Sequence, residues 1–276
     1  MITKCVFPVA GYGTRFLPAT KSTPKEMLPV VNKPLLHYAV EEACAAGIQD
    51  MIMVTSRGKH SIQDYFDVSY ELDSHIAGTP AEKSLYSIRG LLKNCTFSYT
   101  RQNEIKGLGH AVFSARHLLD SQPFAVTLAD DLCITPKNSP GILSSLQQLH
   151  QEHGCSVVAL AEVDDEKVSR YGVIRGKQLS DRVWKIEDMV EKPTLKEAPS
   201  RLAVVGRYLL TSDLLELLGQ TEAGRNNEIQ ITDALKQKAQ KGEMLGYLFD
   251  GQWFDCGSVK GFVAATNHVY SNLSTD

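Results

Sequence analysis

Long hydrophobic runs are missing from this chain of 276 residues. No stretch approaches the ~20 apolar residues that a membrane-spanning helix needs. The apolar core of the opening "MITKCVFPVA" is too short for a secretory signal, and no cleavage pattern follows it. The expectation is therefore a cytoplasmic protein that does not engage a membrane. An excess of positive charge is missing too. Lys and Arg number 29 against 32 Asp and Glu, a net charge of −3, which offers no broad positive face to a nucleic acid. The six cysteines, Cys5, Cys44, Cys95, Cys133, Cys155 and Cys256, contain no C-x-x-C pair. Five sit in or beside apolar runs and read as buried, reduced thiols rather than disulfides or metal ligands. The one local histidine pair, His150 and His153, stands near a helix end with no further ligand nearby in sequence, so a solvated helix end is expected. Internal repeats, low-complexity segments and a convincing linker are also lacking.

What is present is an alternation of strand and helix patterns in a chain that is 43% hydrophobic. Short, mostly apolar, β-rich segments lie at 50–55, 96–101, 124–129 and 156–162. Between them, Pro34 opens a helix whose apolar face is Leu35, Leu36, Ala39, Val40, Ala43 and Cys44, and Gly47 ends it. Further helices are predicted at 81–93, 109–119 and 140–153. This rhythm implies an α/β fold with a largely parallel sheet covered on both faces, and ligands beyond the carboxyl ends of its strands. After residue 163 shorter strands around "YGVIRG", "RVWKIEDMVEKP" and "LAVVGRYLL" suggest an antiparallel addition that closes over a second ligand. Helices at 213–218 and 229–241, then the segment "MLGYLF" and a last helix at 258–270 complete a single expected domain.

The opening strand runs into "AGYGTRFLPATKSTPKEMLP". A dinucleotide fingerprint needs a third glycine where Phe16 stands, and a helix starting in the turn, which Pro18 and Pro24 oppose. The G-K-[ST] of a Walker A loop is absent as well. What remains is a glycine pair, Gly11 and Gly13, whose backbone N–H groups can approach an anion, followed by Arg15, Lys21 and Lys25. A nucleoside triphosphate carries about four negative charges and wants cations that reach around it. An exposed basic loop closing a strand is the other reading.

Four more motifs carry two readings each. "FAVTLADDL" delivers Asp130 and Asp131 at a strand's carboxyl end, which suits either a hard divalent ion or a strand-ending turn. Alternation along a strand lets only one of the two reach a metal. Asp255 in "GQWFDCGS" either completes that site or caps the last helix. Glu191 and Lys192 in "MVEKP" either hold sugar hydroxyls and a phosphate or form a surface ion pair. Gly172 would let backbone lie against a sugar ring. Gln102, ahead of Gly107 and Gly109, offers a donor and an acceptor to the imide edge of uracil or thymine. His110 reads as a helix-start residue rather than a proton shuttle.

In order and wording these segments resemble the sugar-nucleotide pyrophosphorylases, which transfer nucleotidyl groups to sugar 1-phosphates. The opening loop is joined by "LADDL", "YGV", "MVEKP", "AVVGRY", "NNEIQITDAL" and "WFDCGS", together spanning nearly the whole chain. The acid pair with "KEMLP" and "NNEIQITDAL" most resembles the bacterial UTP–glucose-1-phosphate uridylyltransferase branch. The resemblance implies a Rossmann-like mixed, mostly parallel sheet, with a nucleotide-binding half (1–135), a sugar-phosphate-binding half (136–256) and a C-terminal helix (257–276). It implies UTP and glucose 1-phosphate as substrates, Mg²⁺ as cofactor, and a homodimer or homotetramer. Ala10 and Gly11 would hold the nucleotide, with Arg15 and Lys25 neutralising its phosphates and Glu26 near the ribose or base. Gln102 and Gly107 would read uracil. Asp130 with Asp255 would hold the metal. Gly172, Glu191, Val205 and Gly206 would line the sugar pocket, and Lys192 would take the sugar phosphate.

Overall fold

The computed structural model describes residues 2–224 and 227–273. Its strands in chain order are β1 (Lys4–Pro8), β2 (Pro29–Val30), β3 (Lys33–Pro34), β4 (Asp50–Thr55) and β5 (Thr96–Arg101). Next come β6 (Phe124–Thr127), β7 (Asp131–Ile134), β8 (Ser156–Glu162), β9 (Gly172–Ser180) and β10 (Val183–Glu191). The last are β11 (Leu202–Leu210), β12 (Met244–Leu248) and β13 (Gln252–Asp255). Nine of them form one sheet in the order β5-β4-β1-β6-β11-β8-β12-β10-β9.

The first four strands of that order are parallel, as the alternating pattern predicts. The sheet as a whole is mixed rather than mostly parallel. β11 runs antiparallel to both β6 and β8, in the middle of the sheet instead of at an added edge. The antiparallel addition is the pair β10 and β9 at the far edge. β7 and β13 form a separate two-stranded ribbon that puts Asp131 opposite Asp255.

Side-chain alternation explains why helices cover both faces. Cys5, Phe7, Met51, Met53, Val157 and Ala159 point to one core. Val6, Ile52, Val54, Val158 and Leu160 point to the other. On the first face lie α1 (Leu35–Ala45), α2 (His60–Tyr65), α4 (Tyr86–Asn94) and α6 (Ile142–His153), between which α3 (Tyr70–Ile76) is inserted in sequence. On the second lie α5 (Gly107–Ser114), α7 (Leu214–Gln220) and α8 (Ile231–Gln240). Each buried aliphatic side chain contributes on the order of 1.5–3 kcal/mol. One sheet therefore ties both halves of the chain into shared cores.

Most helices fall where the apolar stripes put them. The segment at 81–93 divides into a 3-10 turn, Pro80–Leu85, and α4. The helix expected at 109–119 starts two residues earlier and ends at Ser114, with a 3-10 turn after it. α9 (Val259–Ser271) begins at a Ser258 cap whose hydroxyl accepts from Gly261 N–H at 3.2 Å. All six cysteines are free, and none of the described helices is long and apolar enough to cross a membrane.

Candidate active site

The loop after β1 does not start a helix; it folds through three 3-10 turns, Thr14–Phe16, Ala19–Lys21 and Lys25–Met27. Gly13 makes this possible. Its φ of 66° is left-handed, and a Cβ there would sit 3.0 Å from Lys25 Cβ and 3.2 Å from Thr20 Cγ2. The Thr20 hydroxyl closes the turn by donating to Gly13 O at 2.8 Å. Lys25 thus runs beneath the glycine loop, and its ammonium reaches Asp130 Oδ2 at 2.5 Å. Burial alone would lower the Lys25 pKa, but Asp130 and Glu26 outweigh it, so the ammonium stays protonated above the ordinary lysine range.

The two aspartates after β6 have separate jobs. Burial alone would raise the Asp130 pKa, yet the Lys25 ammonium, with a smaller contribution from Arg15, holds it below the usual carboxylate range. Asp131 is engaged internally: Oδ2 accepts from Gly206 N–H at 3.1 Å and Oδ1 from the Trp253 indole N–H at 2.7 Å. Burial, reinforced by the Asp130 charge, pushes its carboxyl up to about 7.

Asp255 faces Asp130 across Gly257. A Cβ at Gly257 would lie 3.0 Å from Asp130 Oδ2, 3.1 Å from Asp255 Oδ1 and 3.4 Å from Arg15 Nη1. Arg15 Nη1 donates to Gly257 O at 3.1 Å, and Gly257 N–H donates to Asp255 Oδ1 at 3.1 Å. The Tyr171 hydroxyl donates to the other Asp255 oxygen at 3.2 Å. No group of three or more His, Cys, Asp or Glu side chains able to hold a metal occurs among the described residues. Two carboxylates across a glycine fit a hard divalent cation that takes its other ligands from phosphate and water.

The sugar-side candidates converge on the same cavity of about 590 Å³, whose walls include Arg15, Asp130, Gly172, Glu191, Lys192, Gly206 and Asp255. Glu191 Oε2 accepts from the Thr232 hydroxyl at 2.7 Å, and a Cβ at Gly172 would approach that same oxygen to 3.2 Å. Lys192 Nζ lies 3.1 Å from Glu191 Oε1. Lys192 itself has a φ of 47°, a backbone conformation that a non-glycine residue rarely adopts, held by its N–H to Tyr171 O at 3.0 Å.

Other expected residues stand apart from the cavity wall. Val205 is a correction. Its side chain is fully buried in the core on the α6 face, while Val204, Gly206 and Tyr208 line the cavity, because alternation along β11 sends neighbours to opposite sides. Glu26 turns inward, 1% exposed, to a buried ion pair with Lys59 at 2.7 Å. Ala10 is buried at the end of β1, its carbonyl held by the Ser56 hydroxyl at 2.8 Å, and Gly11 follows directly above the Lys25 side chain. Gln102 and Gly107 bond to each other at 3.1 Å beside Leu108, which does line the cavity. Asn226 of "NNEIQITDAL" lies outside the described residues.

Sequence reasoning missed Arg207, Trp253, Tyr171 and Thr232 as supports of the site. Arg207 left a signal, a cation in the middle of the apolar run "LAVVGRYLL". It is 1% exposed, pairs with Glu42 at 2.8 Å, and donates to the carbonyls of Leu128, Gly206 and Asp131 at 2.9–3.1 Å. It thereby fixes the turn that carries both aspartates.

Three comparisons bear on this arrangement. Residues 6–272 match the family described as nucleotidyl transferase. The chain is 55% identical, over 99% of its length and 98% of the relative's, to a UTP–glucose-1-phosphate uridylyltransferase of Pseudomonas aeruginosa. It is similar to a crystal structure of a UDP-glucose pyrophosphorylase complexed with UDP-glucose, at a TM-score of 0.92 and 52% identity, covering 98% of this chain and 99% of that one. A UTP-bound pyrophosphorylase structure from Acinetobacter baumannii gives a TM-score of 0.87 at 37% identity, with coverage of 98% and 93%.

Proposed function

The chain belongs to the nucleotidyl transferase family, and on that premise we propose that it transfers a uridylyl group from UTP to glucose 1-phosphate, giving UDP-glucose and pyrophosphate. A phosphate oxygen of the sugar ester attacks the α-phosphorus of UTP. That P–O bond forms as the bond from the α-phosphorus to the bridging oxygen breaks, and pyrophosphate leaves with the electron pair. The attacking oxygen is already ionised at neutral pH, so no general base is required. Catalysis reduces to in-line alignment and to screening the repulsion between two anions.

The single observation that carries this reading is the meeting of Arg15, Asp130 and Asp255 around Gly257, in one cavity with Glu191 and Lys192, with the Lys25 ammonium on Asp130. Arg15 and Lys25 stabilise charge as it moves onto pyrophosphate. Lys192 holds the sugar phosphate, and Glu191 accepts from glucose hydroxyls, its carboxylate oriented by Thr232. Gln102 reads the base. Asp130 and Asp255 would hold Mg²⁺, which when bound supplies charge neutralisation and orientation of the phosphates. The parallel strands β5-β4-β1-β6 support a Rossmann-like nucleotide half, with ligands at their carboxyl ends.

The test is pyrophosphate release measured over four nucleoside triphosphates and three sugar 1-phosphates, with and without Mg²⁺. The expected result is the highest kcat/KM for UTP with glucose 1-phosphate, dependent on the metal. Release of no pyrophosphate from any pair rejects the activity, and a higher specificity constant for dTTP than for UTP reassigns the base.

A further inference from the structure

His110 has no part in the phosphoryl chemistry, yet it touches Gln102. Gln102 follows β5, at the carboxyl end of the parallel strands shared by the glycine loop and Asp130. Its side-chain nitrogen makes two contacts, 3.1 Å to Gly107 O and 2.9 Å to His110 Nδ1. A peptide carbonyl can only accept, so Gly107 decides which end of the amide is the nitrogen. His110 Nδ1 must then also accept, which leaves the ring neutral with its proton on Nε2. Burial first, and then the nearby Lys106, lower the His110 pKa and agree with a neutral ring.

Both amide N–H groups are therefore taken, and only Oε1 is left to meet a ligand. Gln102 is 4% exposed, and among the described residues no donor reaches Oε1, which leaves it as the amide atom without a protein partner. Two acceptors on one side hold this orientation. With Gly107 O alone, the second N–H would be free and the amide could turn to offer a donor outward. The backbone on this side is itself fixed. Gly107 has a φ of 87°, and Gly109 N–H donates to Ile229 O at 2.9 Å.

We infer that His110 is a positioning residue for base selection: by accepting from Gln102 it locks the amide oxygen toward the base. A fixed acceptor takes the ring imide N–H of uracil or thymine. At the same ring position cytosine carries a lone pair, and acceptor would face acceptor. The inference rests on the uridylyl-transfer reading of the site, and it adds a residue that selects the class of pyrimidine without touching it.

The experiment compares kcat/KM for UTP and CTP in the wild type, His110→Ala, His110→Asn and Gln102→Ala, with folding checked by far-UV circular dichroism. In His110→Ala the UTP-to-CTP ratio falls roughly tenfold or more, mainly through KM for UTP. In His110→Asn, whose side-chain oxygen stands near the lost Nδ1 and can accept, most of the ratio returns. A ratio unchanged in His110→Ala but lowered in Gln102→Ala overturns the positioning role alone. Equal losses in His110→Ala and His110→Asn also overturn it, since the effect would then be bulk rather than hydrogen bonding. An unchanged ratio in Gln102→Ala removes base reading by Gln102 and this inference with it. Absence of turnover with UTP in the wild type rejects the underlying activity instead.

Discussion

At the scale of single residues, Lys25 and Asp130 are set by each other. Across one contact of 2.5 Å the Asp130 carboxylate, helped by Glu26, raises the Lys25 pKa and the Lys25 ammonium lowers that of Asp130. In the proposed reaction, substituting Lys25 by Ala would remove a preorganised cation from the path of the departing pyrophosphate. The expected loss in kcat is about 10²–10³-fold, the size seen when one charge-stabilising donor is removed, with the circular dichroism spectrum retained. Wild-type kcat in that variant rejects the role. Asp131 behaves differently. Its carboxyl, pushed up to about 7 from 3.8, holds a proton in the folded protein that the unfolded chain has already released between those values. The native state then binds more protons, so stability from this group falls as pH rises through that window and is unaffected below it. Urea unfolding at the two ends of the window reads this slope. Asp131→Asn should flatten it, whatever its cost from facing Gly206 N–H.

At the scale of elements, β11 is the strand on which the site depends. It brings Gly206 against Asp131, where a Cβ would approach Asp131 Oδ2 to 2.3 Å and Leu128 Cβ to 2.6 Å. Its next residue, Arg207, spans to Glu42 on α1 and to the carbonyls of the aspartate turn. Arg207→Met would leave the Glu42 carboxylate without its buried partner and the turn without its donors. A loss of roughly 3–5 kcal/mol in unfolding free energy is expected, measured by denaturant titration, together with reduced turnover as the turn loosens. Unchanged stability would show that the turn holds itself. The element boundaries were largely legible, since β4, β5 and β8 fall on the residues that their β-rich composition marks. α2 and α3 were not, because both are short and surface-lying. α3 has exposed Tyr70 and Leu72 and buries only Ile76, so it shows no apolar stripe.

At the scale of the whole molecule, the cavity lies between the parallel strands and the β10–β9 edge, so a ligand seated in it would touch both halves of the sheet. UTP that binds only the folded state should raise the unfolding free energy by about 2.7 kcal/mol at a hundred times its Kd. Thermal unfolding with UTP and Mg²⁺, with UTP and a chelator, and in Lys25→Ala measures this. The shift should shrink in the latter two, and a full shift with the chelator would remove the metal from nucleotide binding.

Three features can be read along the chain alone: the α/β alternation, the proline-broken loop that bars a helix at the glycine turn, and the residue types brought to the cavity. These depend on neighbours within a few positions: a 3.6 or 2.0 period, a fixed proline φ, a glycine turn. Three others arise on folding: β11 enters the sheet centre, Asp131 is consumed by Gly206 and Trp253 while Asp130 faces Lys25, and Val205 points into the core. Strand order and hydrogen-bond partners depend on residues as much as 242 positions apart, as with Arg15 and Gly257. A local pattern carries no record of which distant group will arrive.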